Sequence, residues 1–420
     1  MILLMALACR PDDEPTYEGD VLLVVETGRS QITLLDRDEF VARGTQCLYE
    51  LFPEDCRPVP KSSVAECLPF GVDHELIDGQ DRLRMTWSRR DEDVDAGLPG
   101  RLTQFTPGHL PEHLWSLEQL DYGELPAYRE GACGEASDGW VQGCGLNMTH
   151  VTEPTPDGSA WVMADTLNSR VVWLDQEQDG RVLAVLDESN PDWDGFLYAN
   201  NVQPFEQDGG SWLLVTFKSG SGTAARNTGR VTLWEVSDPS APVLQWAYPA
   251  EGHVAAVHHA RRVEVAGDSY LLYAHSLGAS ESFEGFHGAV GLARFDLDGP
   301  TYLGDGILPE GPEGFGFVRE VELSPEGDSL YVVDSGCENP DIEDCTLTGR
   351  IVEVEFPDWQ DEGLSGAFSV DHSQQRLRTL SVLEDGWGQD LSFPFEVDVI
   401  LEEDQGEAFS STFGACPKDL

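Results

Sequence analysis

Lysine is almost missing from this chain. Only Lys61, Lys218 and Lys418 occur in 420 residues, and 25 basic residues face 77 acidic ones, a formal net charge of −52. A surface of that sign repels phosphate backbones and anionic headgroups, which argues against nucleic-acid binding. The acids are spread along the chain instead of gathered in a tail, so they read as a solvated surface. Past the first residues, no apolar run approaches the ~20 residues of a membrane-spanning helix. No Cys-x-x-Cys occurs, which removes the usual zinc and thioredoxin-like spacings. Also absent are a Gly-x-Ser-x-Gly elbow, a Walker loop, a dinucleotide fingerprint and a His-Glu-x-x-His pair.

What the chain does contain is one pattern several times over. An apolar run ends in a polar or charged residue, a variable loop follows, and a second alternating strand opens, often on Arg. Val21–Glu26 with Gln31–Asp36 is the first copy, and Ala160–Asp165 with Arg170–Asp175 the second. Trp212, Tyr270 and Ser329 open three more, whose partner strands end at Glu235, Asp296 and Glu355. The last four copies are preceded by a further strand and a Gly-containing turn, and Asp-Gly between alternating strands predicts a hairpin. The spacing is roughly 50 to 60 residues, the range of propeller blades. One such sheet cannot bury both its faces, whereas a ring of them can. The stretch from 157 to 176 is similar to an NHL-type propeller repeat. The expectation is an all-β chain, a single β-propeller of six or seven four-stranded blades over residues 20–420.

Within that frame, 150–356 carries the regular blades. Residues 37–150 read as one or two irregular blades with insertions, with Arg82–Ser88 and Arg101–Thr106 as strands and His113–Asp121 as a short helix. Residues 357–420 supply closing strands at Leu377–Leu383 and Phe395–Leu401. The eleven tryptophans are scattered over the blades and read as core.

The N-terminus, Met1-Ile-Leu-Leu-Met-Ala-Leu-Ala-Cys9-Arg10, resembles the lipobox of bacterial lipoproteins through Ala6-Leu7-Ala8-Cys9. The resemblance implies that 1–8 is a signal remnant, that Cys9 is lipidated, and that 9–19 is an acidic tether. Membrane contact would then run through acyl chains alone, at about 0.8 kcal/mol per buried methylene. An ordinary secretory signal is the other reading, and both predict an extracytoplasmic protein, lipid-anchored to a bacterial membrane or secreted. Of nine cysteines, eight remain beyond Cys9. Cys133 and Cys144, and Cys337 and Cys345, bracket short polar loops and are expected to form disulfides. The pairing of Cys47, Cys56, Cys67 and Cys416 stays open.

Aligned on their Gly turns, the four clear copies superpose His150, Asn201, Arg261 and Arg319 at the mouths of successive innermost strands. Two guanidinium forks, an imidazole and an amide around one axis predict a site for a small anionic ligand or a partner loop. The structural reading beside it pairs the arginines with Glu153, Glu320 or Glu322 of a neighbouring blade. Five of the ten histidines lie between 253 and 287, among them His258, His259 and His275, and His275 joins the ligand-binding candidates. Here, with Asp165-Thr-Leu-Asn-Ser-Arg170 and with Asp334-Ser335-Gly336 followed by Gly349-Arg350, the chain resembles bacterial arylsulfate sulfotransferases over 150–356. That resemblance implies a histidine nucleophile, His258 or His259, with Arg261, Arg319, His150 and Asn201 holding the sulfuryl oxygens. The chain departs from it at Ser335, where the family often has asparagine. No spacing signature accompanies zinc ligation by these histidines. Asn190-Pro-Asp192-Trp-Asp194-Gly195 is similar to the start of a calcium loop, but Asn201 stands where an EF-hand needs glutamate. Ca2+ on those oxygens and a metal-free Asp-rich turn are the two readings, and no other cofactor is expected. The leading functional expectation is a monomeric binding or interaction propeller with an anion-capable funnel. The alternative is a sulfotransferase-like enzyme.

Overall fold

Turn chemistry defines the repeating unit. In the computed structural model Asp78-Gly79, Asp208-Gly209 and Ala266-Gly267 take paired positive φ angles of 53 and 75°, 53 and 78°, and 53 and 84°. Two such residues in succession make the tight hairpin turn whose twist matches the strands it joins. The structure describes residues 19–39, 42–56, 67–89, 100–107, 112–117, 120–121, 145–176, 180–220, 229–249, 256–277, 287–307, 315, 317–335, 349–355, 364, 376–380, 394–406, 409 and 413.

Among the described residues, twenty-four strands form six four-stranded antiparallel sheets. The first blade takes β1 (Val21–Glu26), β2 (Gln31–Asp36) and β3 (Ala42–Cys47). The second is β4 (Cys67–Ile77), β5 (Gln80–Arg89), β6 (Gly100–Thr106) and β7 (Glu112–Leu117). The third is β8 (Thr149–Pro154), β9 (Ala160–Asp165), β10 (Arg170–Asp175) and β11 (Val182–Leu186). The fourth is β12 (Phe196–Gln207), β13 (Gly210–Gly220), β14 (Arg230–Glu235) and β15 (Val243–Tyr248). The fifth is β16 (Ala256–Val265), β17 (Asp268–Leu277), β18 (His287–Arg294) and β19 (Thr301–Ile307). The sixth is β20 (Val318–Leu323), β21 (Ser329–Asp334), β22 (Arg350–Glu355) and β23 (Arg376–Leu380).

The last strand, β24 (Pro394–Ile400), returns to the first blade and pairs antiparallel with β1 from Val21↔Ile400 to Val25↔Glu396. β4, β8, β12, β16, β20 and β24 are the inner strands, each in contact with the next around a closed ring. The chain is therefore a six-bladed propeller closed by one C-terminal strand. Arg376–Leu380, expected to help close it, is instead the outer strand of the sixth blade.

Each junction between blades buries one apolar seam, six in all. Leu23, Val25, Phe70 and Trp87 mark the seam between the first and second blades, and Tyr331 and Val333 meet Leu22 and Val24 where the ring closes. The expected mixture of one or two irregular blades over 37–150 resolves into a single blade, β4–β7, while Ala42–Cys47 completes the first. His113–Leu117 is strand and not helix: Leu117 pairs with Leu102, and the Trp115 indole donates to Gln104 Oε1 at 3.0 Å and stacks on Trp161 at 5.4 Å. Sheet pairing overrides the helical spacing of Leu114 and Leu117.

Cys56 and Cys67 form a disulfide, and Cys47 is disulfide-bonded too. Cys9, Cys133, Cys144, Cys337, Cys345 and Cys416 lie outside the described residues. Among the described residues no helix is long and apolar enough to cross a membrane.

Candidate functional site

Every inner strand carries a register shift near its start. The extra residue is Phe70 in β4, Asn200 in β12, His258 in β16, Arg319 in β20 and Phe395 in β24, and in β8 the shift lies between Thr149 and Thr152, at His150. A bulge bends the strand and re-aims one side chain, and here it turns six of them onto one axis. Each is at most 5% exposed. Phe70 lies 4.8 Å from His150 and 5.0 Å from Phe395, and His150 lies 5.5 Å from His258. Phe395 reaches across to His150 at 4.9 Å and His258 at 5.1 Å. The ring is a plug with an apolar side, Phe395 and Phe70, and a polar side, His150 through Arg319.

Hydroxyls clamp the bulges between blades. Thr216 Oγ1 donates to His258 O at 3.2 Å, and Thr86 Oγ1 donates to His150 O. A second device positions the strands themselves. Asp165 pairs with Arg170 at 2.7 Å and accepts the Asn147 N–H at 2.7 Å, just ahead of His150. Asp334 repeats it, pairing with Arg350 at 3.1 Å and accepting the Phe317 N–H at 2.9 Å, two residues before Arg319. The Asp–Arg pattern seen in the sequence thus holds the approach to the inner strands.

The His258 Nδ1–H donates to Arg319 O at 3.1 Å, while Arg319 Nη1 donates to His258 Nε2 at 2.9 Å. Arg319 also donates to Ser335 Oγ at 3.0 Å and lies 4.3 Å from the Phe317 ring. Lys218, on β13, stands 5.9 Å from the same ring. Burial, then the charges of Arg319 and Lys218, hold the His150 imidazole well below its ordinary pKa, and His258 is lowered in the same way. Asn200 approaches His150 without meeting hydrogen-bond geometry, so the buried polar atoms of both side chains lack a partner.

Beyond the plug the axis turns acidic. One residue past the bulges stand Asn201, His259, Glu320 and Glu396, and three past them stand Asp73, Glu153, Gln203, Arg261, Glu322 and Asp398. Arg261 pairs with Glu153 at 3.0 Å and Glu322 at 2.9 Å, and Arg84 pairs with Asp73 at 3.1 Å. Glu320 Oε2 accepts the Val397 N–H at 2.6 Å, and Glu396 Oε1 accepts the Val72 N–H at 3.2 Å. A Cβ on Gly71 would sit 3.0 Å from Glu396 Oε2, so glycine there makes room for the carboxylate.

Burial, then repulsion from Glu322, raises Glu320 well above the carboxylate range. Burial, then Glu320, does the same to Glu396. Burial also lifts Asp398, and it pushes Glu322 up to about 7 against the pull of Arg261. His259 Nε2 is 3.4 Å from Glu320 Oε1 but outside hydrogen-bond geometry, and burial followed by Arg261 lowers its pKa well below the usual value. One ligand atom from each of His259, Glu320 and Glu322 lies within 4.8 Å of the others.

Of the residues singled out in the sequence, His150, His258 and Arg319 therefore share the plug. Asn201 and Arg261 fall one and three positions too deep, because Asn200 and His258 are the bulged residues of their strands. His259 faces the acidic layer with them. His275 is on the second strand of its blade, opposite Val257 and 5.3 Å from Tyr273. In the Asp-rich loop, Asn190 Oδ1 accepts the Asp192 N–H at 2.9 Å and Asp192 Oδ2 the Leu244 N–H at 3.3 Å, which ties the loop to β15. Asp194 is exposed. Sequence reasoning missed Phe70, Phe395, Asn200, Lys218, Glu396, Asp398 and Asp73. Only Lys218 carried a signal, as one of three lysines in the chain.

No protein-family model matches this chain, and no curated protein matches it. Solved structures are similar to it at low identity. A periplasmic gluconolactonase of Pseudomonas aeruginosa is 11% identical with a TM-score of 0.44, over 91% of this chain and 99% of that one. Hydrazine synthase of Kuenenia stuttgartiensis is 11% identical at 0.44, over 93% and 90%. A functionally unknown protein of Desulfotomaculum acetoxidans is 11% identical at 0.45, over 94% and 98%.

Proposed function

We propose that this protein is an exported binding propeller, anchored through Cys9 where that residue is lipidated, which captures a small organic anion at the Lys218–Arg319 end of its axis. One convergence carries the reading. A chain with a net charge of −52 brings one of its three lysines and a buried arginine over His150 and Asn200, whose polar atoms lack partners. An oxyanion there would gain charge-assisted hydrogen bonds and satisfy buried groups that otherwise cost about 1–3 kcal/mol each. Phe70 and Phe395 form the apolar side of the ring, so the ligand that fits has an anionic head and an apolar body, such as an aryl carboxylate or sulfate. The bonding of His258 weighs against that histidine as the nucleophile of a sulfuryl transfer. Both its ring nitrogens are engaged by Arg319, and a nucleophile needs a free lone pair.

Calorimetric titration of the purified Cys9→Ser protein with phenyl sulfate and with benzoate tests this. Lys218→Met should weaken binding about tenfold, or 1.4 kcal/mol, with an unchanged melting temperature. Equal affinity in both proteins removes the anion reading. Release of phenol together with a sulfated histidine in mass spectra would replace binding with transfer.

A further inference from the structure

We infer that the acidic layer beyond the plug is a binding site for one divalent transition-metal ion, held by His259, Glu320 and Glu322 with Asn201 as a fourth donor. The three titratable side chains offer ligand atoms within 4.8 Å of one another. Asn201 supplies an independent observation. It is 2% exposed, it stands on the neighbouring inner strand at the position equivalent to His259, and neither its amide oxygen nor its nitrogen has a hydrogen-bond partner. Both ring nitrogens of His259, 3% exposed, are without partners as well. Two buried side chains at equivalent positions of neighbouring inner strands, both without a hydrogen-bond partner, mark a place where something else supplies the partner.

The donor set selects the class of ion. A neutral imidazole with two carboxylates suits Zn2+ or Mn2+, whereas Ca2+ and Mg2+ take oxygen-only shells. Glu320 is pre-oriented, since its Oε2 accepts the Val397 N–H at 2.6 Å and its Oε1 faces His259 at 3.4 Å. Glu322 can hold Arg261 with one oxygen and an ion with the other. Charge points the same way: Asp73, Glu153, Glu320, Glu322, Glu396 and Asp398 line these layers against two arginines, Arg84 and Arg261. Access comes from the end where the inner strands finish. The plug residues are at most 5% exposed, while the side chains of Arg261 and Glu322 are 27% and 23% exposed.

The test is calorimetry and elemental analysis on the full chain after EDTA treatment, titrated with Zn2+, Mn2+ and Ca2+. The expected result is one Zn2+ per chain, bound at least 100-fold more tightly than Ca2+. His259→Ala and Glu320→Gln should each weaken Zn2+ at least tenfold, while Asp192→Asn on the distant Asp-rich loop leaves it unchanged. Co2+ should give a visible absorption band in the parent protein that His259→Ala abolishes. Glu322→Gln, on the more open wall, reads the same site if a deeper variant fails to fold. Absence of stoichiometric zinc overturns the proposal, as does a tight site that survives these substitutions or prefers Ca2+.

Discussion

His258 and Arg319 hold each other twice across the seam between the fifth and sixth blades. The imidazole Nδ1–H donates to the arginine's carbonyl at 3.1 Å, and the guanidinium Nη1–H returns to Nε2 at 2.9 Å. The guanidinium also lies 4.3 Å from Phe317 and 5.0 Å from Phe395. The pair fixes the neutral Nδ1–H tautomer, because a carbonyl accepts on one side and a cationic donor occupies the other.

His258→Ala leaves a buried guanidinium N–H without its acceptor, so the protein should lose about 1–3 kcal/mol of stability. Nitrogen-15 spectra of the parent should show this ring as the Nδ1–H tautomer with no titration between pH 6 and 8. An imidazolium at pH 6 would contradict the arrangement.

Asp165 is fully buried and Arg170 is 3% exposed. Asp165→Ala strands that charge and frees the Asn147 N–H, and breaking a buried pair from one side costs about 3–5 kcal/mol. Urea unfolding measures it. A loss below ~1 kcal/mol would mean that water replaces the carboxylate.

Gly71→Ala places a Cβ 2.6 Å from His150 O and 3.0 Å from Glu396 Oε2. Neighbouring backbone has to move, so a destabilisation of about 1–3 kcal/mol is expected. A melting temperature equal to that of the parent would show that the bulge of β8 yields without strain.

Asp73 gives a pH dependence. Burial, opposed by Arg84, pushes its carboxyl up to about 7, above the ~3.9 of an unfolded chain. Between those values the folded state binds more protons, so this group's contribution to stability is greatest near pH 4 and is lost as pH rises through 7. Asp73→Asn removes that dependence. Measured in EDTA, its stability relative to the parent should therefore rise between pH 5 and pH 8, on the order of 1 kcal/mol. A constant difference across that range would refute the assignment.

Strand pairs and turns were legible because they are local. Asp208-Gly209 between two strand-forming runs signals a hairpin turn, and the apolar, β-branched run of Val21–Glu26 suffices to suggest a strand. His113–Leu117 was misread because its spacing suits either element and only pairing with β6 decides. The axial site was half legible. His150 and Arg319 came from aligning repeats, whereas Asn201 stood in for Asn200, and Arg261 for His258.

By itself the sequence determined the repeating unit, the disposition to close into a ring and the acidic surface, all set by nearest-neighbour chemistry and composition. Tertiary structure decided which residue of each inner strand meets the axis. A bulge belongs to the register between two strands, and one strand read alone does not contain it. The same holds for the acidic layer: His259, the Glu320–Glu322 pair and Glu396 come from three different strands, and only closure by β24 brings the last of them beside the others.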